Sequence, residues 1–162
     1  MKVYIKNKVI SLRGSSEVYD EENKLLYKVK GKLISCRKKK RIFDAEGNLV
    51  FRIQNRFFNF FSHKTYIFDN EKNKIATIKK GAWSLNRNYE ILDTEDHMEI
   101  VGKIFSRHSQ ILRNDEQIAT LSRQITFIGD SFVLEADEKE IPFLTALVIA
   151  YDNLVDKRRE DD

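Results

Sequence analysis

The residues whose type and spacing could do chemistry are basic, and they crowd into one short stretch of the chain. Lys28, Lys30 and Lys32 alternate along a strand-forming run, so their side chains share one face at intervals of about 7 Å. An unbroken basic run follows: Arg37, Lys38, Lys39, Lys40 and Arg41. Like charges this close repel, and an anionic partner would relieve the repulsion. We predict an anion-binding outer face formed by these eight residues.

Three interpretations of this basic cluster compete. Polybasic patches favour anionic lipid surfaces, and a phosphorylated ligand would satisfy the same side chains. Nucleic acid is disfavoured, because aromatic side chains that stack on bases would have to lie among the lysines, and Tyr27 is the obvious one. The third interpretation is a solvated face that only blunts aggregation.

Catalytic and metal signatures are weak in this sequence. His63, His97 and His108 lie far apart without metal-ligand spacing, and one cysteine, Cys36, cannot complete a zinc site. No Gly-rich phosphate loop or nucleophile–base motif is present. We therefore expect no catalytic residue, metal or cofactor, and no enzyme activity. Cys36 is interpreted as a free thiol, and its reactivity is left open.

Composition predicts one globular domain spanning residues 1–162. The net charge of +4 is unevenly distributed along the chain. Residues 1–81 carry 20 Lys and Arg and 8 Asp and Glu, whereas residues 82–162 carry 9 Lys and Arg and 17 Asp and Glu. A dipolar surface is expected. No apolar run approaches the roughly 20 residues that a membrane-spanning helix needs, and the N-terminus lacks a signal-peptide core. These features predict a cytoplasmic protein that could attach peripherally to a membrane.

A repeat of about 24 residues organises most of the chain. Apolar-aromatic runs end at Asp20, Asp44, Asp69 and Asp93, and after each polar turn an alternating run returns. Period-two alternation between turn signals predicts hairpins, in which the aspartate carboxylate bonds the turn backbone; calcium binding is the disfavoured alternative. Counting all runs gives about twelve antiparallel strands, and closure into a barrel removes the exposed edges.

The C-terminal segment is of a different kind. Residues 141–151 carry no charge and are apolar on every side, so a helix of about 141–158 must be buried all round. A barrel of about twelve strands has room for such a helix, whose diameter is about 10–12 Å. The fold class predicted is therefore mainly β, a closed antiparallel barrel around a buried C-terminal helix. Residues 57–61, four of them Phe, are expected to close one barrel mouth rather than contact a membrane or partner.

The order and spacing of several short runs resemble bacterial LURP-one-related proteins. These runs are residues 4–8, 17–21, 27–32, 38–44 and 75–80, together with Ser35 and the terminal helix. The resemblance covers the whole chain and implies the tubby-like fold, a twelve-stranded barrel threaded by a helix that is shared with phospholipid scramblases. Tubby domains hold phosphoinositide headgroups on basic residues outside the barrel. Scramblase-like lipid transfer is the least expected activity, because this chain has one cysteine and no EF-hand-like loop.

The function expected from these observations is non-catalytic binding of anionic phospholipid headgroups through the basic outer face. The alternative is a scaffold or protein-interaction module that recognises an acidic partner or itself.

Overall fold

Twelve strands and one long helix make up the described chain. The structure, a computed structural model, describes residues 1–7, 15–31, 38–56, 63–80, 88–102, 109–126 and 129–161, with backbone alone at 125–126, 129–130 and 155–161. A single 3-10 turn, Glu138–Glu140, precedes the helix. The elements are β1 Lys2–Asn7, β2 Ser16–Tyr19, β3 Leu25–Gly31, β4 Lys40–Asp44, β5 Leu49–Asn55, β6 Lys64–Phe68, β7 Lys74–Lys80, β8 Tyr89–Leu92, β9 Met98–Val101, β10 Ser109–Arg113, β11 Glu116–Thr126, β12 Gly129–Ala136 and α1 Ile141–Asp161.

The strands form one closed antiparallel barrel in which every strand pairs with its neighbours along the chain. The circle closes where β1 pairs with β12, with Val3 opposite Leu134 and Ile5 opposite Phe132. The N-terminal ammonium group donates to the carbonyl of Ala136 at 2.8 Å and extends that seam. The closed barrel of twelve strands predicted from the hairpin repeat is confirmed, and it has no free sheet edge.

Three consecutive hairpins share one turn, which explains the repeat in the sequence. Each turn opens with an aspartate whose carboxylate accepts a hydrogen bond from the backbone N–H four residues later, at 2.7 or 2.8 Å. The third residue after each aspartate has positive φ, and each hairpin has a register shift just before the aspartate. The aspartates are Asp20, Asp44 and Asp69, and the positive-φ residues are Asn23, Gly47 and Lys72. The predicted capping role of these aspartates is confirmed.

The fourth repeat departs from this pattern. Asp93 itself has φ of 67°, and its carboxylate accepts a hydrogen bond from the Thr77 hydroxyl at 2.5 Å and pairs with Lys74 at 3.1 Å. It therefore ties two neighbouring strands together instead of capping its own turn. The prediction that all four aspartates play one role is wrong at this position, because the loop after β8 takes another backbone path.

Helix α1 lies inside the barrel. Eight consecutive residues, 144–151, are buried, and because eight residues span more than two turns, every side of the helix is covered. The inward residues of the strands surround it, and the helix backbone runs closest to β5, β6 and β7. The prediction of a buried helix is confirmed, although the helix extends to Asp161 rather than 158.

Candidate functional site

The outer surface of β3, β4 and β5 carries the positive charge predicted from the sequence. Val29 and Ile42 point into the core, so alternation turns Lys28, Lys30 and Arg41 outward, and all three are exposed. The expectation that Lys28 and Lys30 share an outer face agrees with this placement. Lys32 and Arg37 lie outside the described residues.

Strand register aligns three cations across this surface. Lys30 on β3 lies directly opposite Arg41 on β4, and Arg41 lies directly opposite Arg52 on β5. Neighbouring strands are about 4.8 Å apart, so the three side chains start from adjacent positions on one face. We call Lys30, Arg41 and Arg52 the basic row. Cross-strand pairs of like charge are destabilising, so the row carries a cost for the free protein.

The basic row lacks acidic partners of the kind that several other cations on the barrel have. Among the described residues, no carboxylate lies within ion-pair distance of Lys30, Arg41 or Arg52. Arg52 instead donates to the main-chain carbonyls of Asp69 and Asn70, at 3.2 and 2.7 Å. Some cations elsewhere on the barrel are paired, in Lys2–Glu135, Lys74–Asp93, Lys79–Glu90 and Arg113–Glu140. The positive charge of the row is therefore left uncompensated locally.

Aromatic side chains and two shallow cavities border the row. The Lys30 ammonium lies 5.2 Å from the ring centre of Phe43, and Phe68 is the cross-strand neighbour of Arg52. One cavity of about 310 Å³ is lined by Lys30, Gly31, Lys39, Arg41 and Phe43. A second of about 290 Å³ lies on the other side of Arg41 and is lined by Lys39, Lys40, Arg41, Arg52, Ile53, Gln54, Phe68 and Lys72. Lys39 and Arg41 thus border both concave surfaces.

The lysines at the start of β4 differ in burial. Lys39 is exposed, Lys38 is half-buried with φ of 41°, and Lys40 is only 7% exposed. The Lys40 ammonium lies 3.6 Å from the Asp152 carboxylate of the helix. Lys40 therefore differs from the outward cations, because it has the same strand parity as Ile42, which directs it inward; its part in the anion site stays a prediction.

A buried polar cluster lies behind this segment. The Asn153 amide nitrogen donates to the Lys38 carbonyl at 2.9 Å and to Asn55 Oδ1 at 2.8 Å. Asn55 Nδ2 donates to the Asn153 carbonyl at 3.2 Å, and the Thr65 hydroxyl donates to Asn55 Oδ1 at 2.8 Å. Asn55, Thr65 and Asn153 are each at most 2% exposed. These bonds link the helix to β5, β6 and the start of β4.

Comparison with known proteins assigns the chain to a protein family. The profile of the LURP-one-related family matches residues 1–152, nearly the whole chain. The chain belongs to the LURP-one-related family. The family predicted from the sequence runs is confirmed, while the bacterial origin stays a prediction.

A solved structure supports the fold of this LURP-one-related chain. The X-ray structure of an Arabidopsis thaliana protein matches it with a TM-score of 0.64 and 15% identity, covering 94% of this chain and 91% of the other. At this identity the likeness shows the shared fold. No curated protein matches the sequence.

The other residues singled out in this LURP-one-related sequence do not assemble into a reaction site within the described chain. His97 is exposed, and His63 Nδ1 is buried without a partner. The described ranges contain no cluster of three His, Cys, Asp or Glu side chains suited to a metal. No helix in them has the length and hydropathy to cross a membrane. Cys36, His108 and residues 57–61 lie outside the described residues.

Sequence reasoning missed three parts of the site in this LURP-one-related chain. Arg52 enters the row through the hairpin register, which includes a bulge next to the Asp44 turn that simple counting from the turn does not predict. Phe43 and Phe68 lie beside the row, whereas Tyr27 packs against the core. The contact between Asn153 and the Lys38 carbonyl could not be predicted, because no sequence pattern connects these two positions.

Proposed function

We propose that this LURP-one-related domain binds anionic phospholipid surfaces through the basic row and the adjacent Lys39, without catalysing a reaction. The observation that carries this proposal is the alignment of Lys30, Arg41 and Arg52 on neighbouring strands without a carboxylate partner among the described residues. The row differs in this respect from Lys2, Lys74 and Lys79, which each pair with a carboxylate.

The chemistry of the row suits phosphate. Arginine offers a planar set of N–H donors that matches phosphate oxygens, and lysine adds a flexible point charge. Each Lys or Arg near an acidic membrane contributes about 1 kcal/mol to binding. Phe43 and Phe68 beside the row add apolar rings of the kind that enter the headgroup–acyl boundary of a membrane. A phosphorylated soluble ligand would use the same side chains, and the vesicle experiment below separates the two sources.

The proposal is tested by co-sedimentation with vesicles of neutral lipid, with or without acidic phospholipid. Replacing Lys30, Arg41 and Arg52 by Gln should weaken binding to acidic vesicles about 100-fold, because three contributions of about 1 kcal/mol are lost. The matched control replaces Lys2, Lys74 and Lys79 by Gln. It changes the net charge equally but removes cations that already have carboxylate partners. This control should bind nearly as wild type.

The free protein provides a second test of the basic row. If repulsion within the row is real, Arg41→Gln should raise the free energy of unfolding by a few tenths of a kcal/mol while it weakens vesicle binding. Binding that ignores lipid charge, or that the control triple weakens as much as the row triple, refutes the proposal. Salt-dependent self-association in light scattering without vesicle binding would favour the protein-interaction alternative. Inorganic phosphate that binds without vesicle affinity would point to a soluble ligand.

A further inference from the structure

Two adjacent helix residues hold the residues on both sides of Lys39. Asn153 bonds the carbonyl of Lys38 at 2.9 Å, and Asp152 pairs with the ammonium of Lys40 at 3.6 Å. Lys39 itself is exposed and lines both cavities beside the basic row. Lys39 directly precedes the inward Lys40 of β4, so alternation leaves the Lys39 side chain pointing outward.

The Lys38 backbone explains why such an anchor is needed. Its φ of 41° is unfavourable for a residue with a side chain, and such a conformation persists only where the surroundings hold it. Asn153 is 2% exposed and its amide donates to two acceptors, so it has a fixed orientation. The helix end therefore determines the conformation of the segment that carries Lys39.

We propose that Asn153 is a positioning residue for anion binding: it acts through Lys39 and couples the end of the internal helix to the outer basic surface. This inference rests on the proposed function and adds a means by which that site is controlled. By thermodynamic reciprocity, an anionic surface held by Lys39 should in turn stabilise the end of the helix around residues 152–156.

A double-mutant cycle tests this coupling in vesicle binding. Asn153→Leu and Lys39→Ala should each weaken binding to acidic vesicles about fivefold, the contribution of one lysine. The double variant should bind no more weakly than either single variant, because both changes remove the same contribution. Thr65→Val is the matched control: it removes a bond of the same buried cluster but none to residues 38–40, so vesicle affinity should stay unchanged.

A second measurement uses the wild-type protein, in case Asn153→Leu does not fold. Acidic vesicles should slow hydrogen exchange of the amides of residues 152–156, and neutral vesicles should not. Wild-type affinity in Asn153→Leu, additive losses in the double variant, or unchanged helix exchange on vesicle binding overturns the inference alone. Wild-type protein that ignores acidic vesicles overturns the proposed function and this inference together.

Discussion

The ion pair between Lys40 and Asp152 allows a buried electrostatic interaction to be measured inside the barrel. Its nitrogen and oxygen lie 3.6 Å apart, and the side chains are 8% and 17% exposed. The perturbations are Lys40→Met, Asp152→Asn and the two together. Each single change leaves one charge in the barrel interior without this partner.

The size of the effect follows from distance and burial. At an effective dielectric constant of about 20, two unit charges 3.6 Å apart attract by about 4.6 kcal/mol. More than half of this attraction offsets the desolvation of the two groups, so the intact pair contributes about 2 kcal/mol on balance. Breaking the pair removes this compensation from a mostly buried charge, so each single variant should lose about 3 kcal/mol of unfolding free energy. The double variant should lose about 2 kcal/mol, which gives a coupling of about 4 kcal/mol.

Urea unfolding followed by circular dichroism at pH 7 measures these quantities. The barrel supplies a control at the same separation, since Lys2 and Glu135 also lie 3.6 Å apart but are 36% and 59% exposed. A parallel cycle with Lys2→Met and Glu135→Gln should give a coupling below about 1 kcal/mol, because water screens this pair. Additive losses at Lys40 and Asp152, within about 0.5 kcal/mol, would refute the inward placement of Lys40. Equal couplings in the two cycles would show that burial is not the cause.

Three further predictions concern single residues. Tyr151→Phe should raise stability by about 1 kcal/mol at pH 7 in urea melts, because the buried Tyr151 hydroxyl has no hydrogen-bond partner in the described chain. Burial also raises the pKa of Tyr151, so wild-type stability should fall above the unfolded-state pKa of about 10, and Tyr151→Phe should fall less. Lys72→Gly should raise the free energy of unfolding by about 1 kcal/mol, because φ is 75° at Lys72 and Gly47 occupies the matching position of the preceding hairpin. A lower free energy of unfolding in this variant would contradict the reasoning. Hydrogen bonds from Arg113 lower the pKa of Glu140, so this contribution is present above about pH 4.3 and lost on acidification; Glu140→Gln should flatten the fall in stability below that pH, and an unchanged acid profile would count against the pair.

The architecture could be predicted because its causes are local in sequence. A turn aspartate, a positive-φ residue three positions later and an alternating run recur about every 24 residues, and these patterns specify hairpins without knowledge of distant contacts. The charge-free segment of residues 141–151 likewise requires burial on all sides, wherever its partners lie.

The site could be predicted only in part, because it depends on register and on distant contacts. Residues 37–41 are all basic, so the run shows no apolar–polar alternation that would indicate the inward position of Lys40 beside Ile42. Arg52 joins the row only after one strand bulge has shifted the β4–β5 register. The Asn153 contact spans 115 residues to Lys38, and no local pattern encodes a hydrogen bond between those two positions.

The closed barrel also explains why an unpaired basic row can persist on its surface. Each cross-strand pair of like charge costs up to about 1 kcal/mol, so the two pairs of the row cost about 2 kcal/mol at most. Full burial of one leucine such as Leu147 contributes about 1.5–3 kcal/mol, and the internal helix supplies several such side chains. The interior therefore provides enough stability to offset the like-charge repulsion of the row. It follows that neutral substitutions of the row should change vesicle affinity strongly and unfolding free energy only slightly, whereas substitutions at Asn153 should change both.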